Sequence, residues 1–108
     1  MVYTDFPSKL SEVLSNGKLD MVDYLLRHGA NVNHVDRSGE TALMKAVIQC
    51  QLDMVKYLIR QDADMNKMNK HGETALTLAA RGSRWYRPNL DIIYLLLRAD
   101  PTINGSLR

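Results

Sequence analysis

Cysteine, long apolar runs and an excess of one charge sign are scarce or absent in this chain of 108 residues. The single cysteine, Cys50, excludes an internal disulfide, so we expect a reducing compartment, the cytoplasm or the nucleus. No apolar stretch reaches the roughly 18 to 20 residues that a membrane helix needs. Residues 1–10 contain acid and proline where a secretory signal would be apolar. We therefore expect neither membrane association nor secretion.

Charge and motifs exclude further classes of function. Fourteen Lys and Arg residues nearly balance twelve Asp and Glu residues, leaving a formal charge of +2, which excludes a histone-like nucleic-acid binder. The sequence has no Gly-rich phosphate loop and no Gly-x-Ser-x-Gly motif. Its three histidines, His28, His34 and His71, lack the paired spacing of metal ligands. We expect no enzymatic activity, no cofactor and no metal.

The chain does contain an internal repeat of 33 residues. The sequence GETAL at 39–43 recurs at 72–76, and LDMV at 19–22 recurs at 52–55. A fixed period of this size is typical of proteins built from stacked, similar units. The polar stretches at 29–39 and 62–72 separate the units and suit a turn with a short hairpin.

Each unit is predicted to begin with a short helix. In the second unit Thr41 is the expected N-cap. The apolar residues that follow it at helical spacing are Leu43, Ala46, Val47 and Cys50. Their counterparts are Leu10, Val13 and Leu14 in the first unit, and Leu76, Ala79 and Ala80 in the third.

A second helix with a wider apolar stripe is predicted in each unit. Its apolar positions are Met21, Val22, Leu25 and Leu26, then Met54, Val55, Leu58 and Ile59, then Ile92, Ile93, Leu96 and Leu97. We expect methionines such as Met21 and Met54 to lie in the core. Each of these helices has an acidic residue near its start and a basic residue near its end, which complements the helix dipole. Helices this short are marginal alone, so the units must stack.

The pattern D-x-x-G-x-T-x-L at 36–43, with A-D-x-N at 63–66, resembles the ankyrin repeat. The resemblance implies an all-α solenoid of stacked helix-turn-helix units with projecting hairpin loops. It implies one domain over 1–108, with repeats at about 3–35, 36–68 and 69–104. It also implies a non-catalytic surface that binds other proteins.

The chain departs from the family pattern at several positions. Met44 and Thr77 stand where the family has histidine, so the hydrogen bonds that this histidine makes between repeats are expected to be missing. The glycine that ends the second helix is present as Gly29 but is replaced by Asp62 in the second repeat. The sequence stops at residues 106–108, where a fourth repeat would begin. We expect a piece of a longer protein, present as a monomer or associated end to end through an uncapped C-terminal repeat.

The third repeat carries an insertion within 81–89 that contains the only tryptophan of the chain. Arg84, Trp85, Tyr86 and Arg87 are residue types that dominate protein interfaces. The alternative is that Trp85 or Tyr86 folds back to cover the stack, with the arginines solvated around it.

The resemblance places further partner contacts at the hairpin tips and on the exposed side of the first helices. The corresponding residues are Arg37, Ser38, Glu40, Ile48 and Gln49 in the second repeat, and Lys70, His71, Glu73 and Arg81 in the third. Residues 1–54 carry five basic and seven acidic side chains, and residues 55–108 carry nine and five. We therefore expect the partner to be acidic opposite the third repeat.

The leading hypothesis is a protein–protein interaction module, acting as an adaptor, a scaffold or a regulatory domain. One alternative is the binding of nucleic acid or a phosphate ligand through the Arg, Trp and Tyr residues at 81–87. Another is a regulatory arm of a larger enzyme, with the chemistry elsewhere in a longer chain.

Overall fold

The computed structural model describes residues 19–82 and 87–99. Within these ranges the helices are α1 (Leu19–Arg27), α2 (Ala42–Ile48), α3 (Leu52–Arg60), α4 (Ala75–Arg81) and α5 (Leu90–Ala99). No strand occurs in the described ranges, so the predicted all-α class is confirmed. The first helix predicted for the first repeat, with Leu10, Val13 and Leu14, lies outside them.

The helices form two layers with a regular succession of contacts. In the layer of first helices α2 packs against α4, and in the layer of second helices α3 packs against α5. Within each repeat the two layers meet where α2 packs on α3 and α4 packs on α5. This is the stacked arrangement that the 33-residue period predicts.

Thr41 caps its helix as predicted, and its counterpart Thr74 caps the first helix of the third repeat. The Thr41 side chain accepts a hydrogen bond from the backbone N–H of Met44 at 3.2 Å, and Thr74 accepts from Thr77 at the same distance. α2 ends at Ile48, so placing Cys50 on its apolar stripe was wrong. The chain must reverse into α3 within three residues, and Cys50 makes this turn with a φ of 57°.

The core lies between the two helical layers. Its buried apolar residues are Val22, Leu25, Ala42, Leu43, Met44, Ala46, Val47, Met54, Val55, Leu58, Ala75, Leu78, Ala79, Ile92 and Leu96. Met44 is only 1% exposed at the position where the family has histidine, so an apolar side chain fills this site. The list of buried residues also includes most of the apolar positions predicted on the second helices.

Three residues predicted for the core are exposed instead. Met21 is 40% exposed although its counterpart Met54 is 2% exposed. Ala80 and Leu97 in the third repeat are also exposed. In the described stack only the second repeat has a neighbour on both sides, and this accounts for its deeper burial.

The second helices of the first two repeats end in the same turn. The backbone N–H of Ala30 donates to Leu25 at 3.0 Å, and that of Ala63 donates to Leu58 at 3.1 Å. Gly29 has a φ of 99° in the first turn, and Asp62 has a φ of 62° in the second. Asp62 therefore adopts the left-handed conformation that the family assigns to glycine.

A side-chain hydrogen bond joins α1 to α3. The Tyr57 hydroxyl donates to the Asp23 carboxylate at 2.6 Å, and Arg27 Nε lies 3.0 Å from the other oxygen of Asp23. The hydrogen bond from Tyr57, with support from Arg27, lowers the pKa of Asp23. Burial and the neighbouring carboxylate raise the pKa of Tyr57 to about 12.

Candidate functional site

Asp36 closes the hairpin at residues 36–40. Its backbone N–H donates to the carbonyl oxygen of Glu40 at 3.0 Å, and its carbonyl oxygen accepts from Gly39 at 2.9 Å. Its Oδ1 atom accepts from the backbone N–H groups of Ser38 and Glu40, both at 2.9 Å. Aspartate favours such a turn because its short side chain reaches the backbone two residues on. The turn leaves Arg37 and Ser38 exposed at its tip.

Asn69 builds the same turn in the hairpin at residues 69–73. Its Oδ1 atom accepts from the backbone N–H groups of His71 at 2.9 Å and Glu73 at 3.0 Å. Its amide nitrogen donates to the Glu73 carboxylate at 3.0 Å. Asn69 is buried, whereas Lys70 and His71 are exposed at the tip.

The two hairpins are joined through their backbones. The backbone N–H of Lys70 donates to the carbonyl oxygen of Ser38 at 3.1 Å. Gly39 permits this approach, because a Cβ atom there would lie 3.0 Å from the Lys70 nitrogen. Its φ of 77° also favours glycine. The tips of the second and third repeats are therefore held side by side.

Lys45 neutralises the acidic residues of the first of these hairpins. Its Nζ atom lies 2.6 Å from an Asp36 carboxylate oxygen and 3.7 Å from Glu40. Partial burial raises the pKa of Asp36, but hydrogen bonds from Lys45 and from the backbone of Glu40 and Ser38 outweigh it, and the net pKa is lowered. Asp36 is thus held as a carboxylate at neutral pH.

In the third repeat Arg81 replaces Lys45 in this role. Its guanidinium group forms an ion pair with the Glu73 carboxylate, at the opposite end of α4 from the arginine. Lys45 itself corresponds to Leu78, which is buried. Arg81 and Glu73 were both predicted as partner contacts, and the structure pairs them with each other.

The structure places the remaining predicted contacts as follows. Arg37, Ser38, Lys70, His71, Arg81 and Arg87 are exposed, and Glu40, Ile48, Gln49 and Glu73 are half-buried. The carbonyl oxygen of the Gln49 side chain accepts from Gln51 at 2.6 Å. Arg84, Trp85 and Tyr86 lie outside the described residues, so the two interpretations of Trp85 stay open.

Ile48 has a structural reason for its apolar side chain. It packs against the core and lines a small cavity at the junction with the third repeat, together with Val47, Leu78 and Ile92. At the edge of this cavity the Asn89 amide donates to Cys50 Sγ at 3.1 Å. The side-chain Oδ1 atom of Asn89 also accepts from the backbone N–H groups of Asp91 and Ile92 at the start of α5, at 2.9 and 3.3 Å.

Three side chains that shape the hairpins were not predicted from the sequence. Lys45, Asp36 and Asn69 were not among the predicted site residues, although all three fix the exposed tips. A signal for two of them was present: Asp36 and Asn69 are 33 residues apart, and each precedes a glycine by three residues. Asp or Asn at that spacing from glycine is typical of a turn closed by its own side chain.

The described residues show neither a metal site nor a membrane span. Residues 19–82 and 87–99 contain no group of three or more His, Cys, Asp or Glu side chains that could hold a metal ion. Within the same ranges no helix has the length and apolar character needed to cross a bilayer.

Comparison with known proteins gives one result that covers most of the chain. Residues 10–105 match a family model described as ankyrin repeats in three copies. A search of curated proteins found no significant match. The family match agrees with the stacked helix pairs and with the caps at Thr41 and Thr74. The chain therefore belongs to the ankyrin repeat family, whose members generally act as protein–protein interaction modules.

Proposed function

We propose that this chain acts as an adaptor or scaffold that binds an acidic segment of another protein on its hairpin tips. The hairpin face is defined here as Arg37, Ser38, Lys70 and His71. The observation that carries the proposal is the hydrogen bond from Lys70 to Ser38, which supports a rigid spacing of the exposed tips. A preorganised surface loses little conformational entropy when a partner binds.

The charges of this region favour an acidic partner. The carboxylates of Asp36, Glu40 and Glu73 all contact Lys45 or Arg81. Arg37 and Lys70, in contrast, are exposed and form no ion pair within the described part of the chain. The local excess of unpaired charge is therefore positive, which attracts acidic segments and accelerates their association.

The finer features of this proposal rest on the sequence. Cytoplasmic or nuclear location follows from the single cysteine. Contacts from Arg84, Trp85, Tyr86 and Arg87 would extend the surface beyond the hairpin face, and they stay predictions.

Affinity capture with paired variants tests the proposal. Wild-type protein and the double variant Arg37→Glu with Lys70→Glu are used as baits in the same cell lysate. Lys67→Glu is the control, because Lys67 is also an exposed lysine but lies outside the hairpin face. We expect a protein that wild type and Lys67→Glu retain and the double variant loses. Equal retention by all three baits would contradict the proposal, and loss of binding after nuclease treatment would favour nucleic acid instead.

A further inference from the structure

The two junctions between second helices differ in how their charges are paired. At the first junction the Tyr57 hydroxyl bonds to Asp23, and Arg27 pairs with the same carboxylate. The Asp23 carboxylate thus has both a hydrogen-bond donor, Tyr57, and a cation, Arg27. The junction between α1 and α3 is thus closed by its own side chains.

The second junction has different residues at the same repeat positions. Alignment of LDMVDYLLR, LDMVKYLIR and LDIIYLLLR places Lys56 at the position of Asp23, and Leu95 at the position of Tyr57. Leucine has no hydrogen-bond donor and lysine has no acceptor, so the bond of the first junction cannot form here.

An open groove of about 380 Å³ lies at this second junction, between α3 and α5. The outer groove is defined by its lining residues, which are Lys56, Ile59, Arg60, Leu95, Arg98 and Ala99. Ile59, Leu95 and Ala99 are half-buried and form an apolar floor, whereas the three basic residues are exposed. Among the residues that the structure describes, none that lines the groove is acidic.

The basic residues of the groove have no carboxylate partner within the described part of the chain. Lys56, Arg60 and Arg98 form no ion pair in residues 19–82 and 87–99, in contrast to Arg27, Lys45 and Arg81. The guanidinium group of Arg98 lies over the Tyr94 ring, 5.6 Å from its centroid. Three cations around an apolar floor complement a ligand that presents carboxylates next to an aliphatic or aromatic side chain.

We propose that the outer groove binds an acidic peptide segment of a second partner, with one apolar side chain on the floor and carboxylates at Lys56, Arg60 and Arg98. This surface is formed by second helices, so it is separate from the hairpin face and does not depend on the proposed function. A membrane surface is a poorer fit, because the apolar residues are half-buried and the basic cluster is small.

Peptide titration tests the proposal directly. The probe is a fluorescent peptide of about twelve residues with Leu and Phe flanked by Asp and Glu, and the control peptide replaces each Asp and Glu by Asn or Gln. We expect the acidic peptide to bind about tenfold more tightly than the amide peptide, and added salt to reduce the difference. Binding in the groove should change amide NMR shifts on α3 and α5, and any changes at Arg37, Ser38, Lys70 and His71 would report separate binding at the hairpin face. Equal affinities, no binding, or binding only to anionic phosphatidylserine vesicles would overturn the proposal.

A double variant can introduce, at the second junction, the tyrosine–aspartate hydrogen bond found at the first. Lys56→Asp with Leu95→Tyr supplies the carboxylate and the hydroxyl that close the first junction, so the groove should fill and acidic-peptide affinity should fall about tenfold or more. Lys67→Asp makes the same charge change outside the groove and should bind within about twofold of wild type. Unchanged affinity in the double variant, or an equal loss in Lys67→Asp, would overturn the proposal.

Two further variants keep the result interpretable. If the double variant does not fold, Lys56→Gln with Arg60→Gln removes two cations from exposed positions and should show the same loss of acidic-peptide affinity. Unchanged affinity in this folded variant would also overturn the proposal. Arg37→Glu with Lys70→Glu should bind the peptide as wild type does, which distinguishes failure of this inference from failure of the hairpin-face proposal.

Discussion

Lys70 donates its backbone N–H to the carbonyl oxygen of Ser38, and the residue that permits this contact is Gly39. The corresponding glycine of the next hairpin, Gly72, has a similar positive φ, but apart from its chain neighbours no described residue comes within 4 Å of the position of a Cβ atom. Adding a side chain at Gly72 would therefore cost only the strain of the left-handed backbone conformation, whereas adding one at Gly39 would also cost a steric clash.

Gly39→Ala should destabilise the protein more than Gly72→Ala. Both variants force an L-residue into a left-handed conformation, which costs about 1 to 2 kcal/mol. Gly39→Ala also presses a methyl group against the backbone of Lys70, and we expect about 1 kcal/mol more. Urea denaturation of both variants measures the difference. Equal free energies of unfolding would show that the hairpins are not in backbone contact.

Lys45→Met should destabilise the protein by about 1 to 2 kcal/mol at pH 7, because it leaves two partly buried carboxylates without their cation. The lowered pKa of Asp36 means that its contribution is present above the ordinary aspartate pKa and is lost as the pH falls through the folded-state pKa. The difference in free energy of unfolding between wild type and variant should therefore become smaller in acid. Denaturation at pH 7 and at about pH 3 checks this, and a difference that grows in acid would contradict it.

Tyr57→Phe should change how the free energy of unfolding depends on pH above about pH 10. Because the pKa of Tyr57 rises from 10.0 to about 12 on folding, the tyrosine contributes stability below pH 10.0 that is lost as the pH rises toward about 12. The variant has no hydroxyl to titrate. The difference in free energy of unfolding between wild type and variant should therefore be constant near neutral pH and decline between pH 10.0 and about 12. Thermal unfolding of both proteins from pH 8 to about 11.5 measures it. Parallel curves throughout would contradict the pairing with Asp23.

Asp62→Gly should stabilise the protein by about 0.5 to 1 kcal/mol, since glycine adopts the left-handed conformation without strain. Gly29→Asp makes the reverse change in the matching turn of the first repeat and should destabilise by a similar amount. Chemical denaturation of the two variants checks both signs. A loss of stability in Asp62→Gly would mean that the Asp62 side chain contributes more than its backbone strain costs.

Local features of the fold were predictable from the sequence, because they depend on neighbouring residues. Thr41 caps its helix as expected, and Asp53 and Arg60 lie at opposite ends of α3. Burial was less predictable where it depends on neighbouring repeats. Met21 and Met54 both lie in the sequence LDMV, yet in the described stack only the repeat of Met54 has a neighbour on both sides.

The candidate surfaces were predictable only in part. The exposed tips at Arg37 and Lys70 follow from the position of the hairpins in the repeat. The ion pair of Lys45 with Asp36 joins residues nine positions apart, and no helical or strand period marks it. The outer groove depends on Lys56 and Leu95 together, and its effect appears only when α3 and α5 are packed.

Mapping of the captured partner by NMR tests the central claim most directly. The isotope-labelled chain is titrated with the partner protein, and amide shifts are followed residue by residue. We expect the largest amide shift changes at Arg37, Ser38, Lys70 and His71. Changes confined to α1 and α3, with the hairpin amides unmoved, would contradict this expectation.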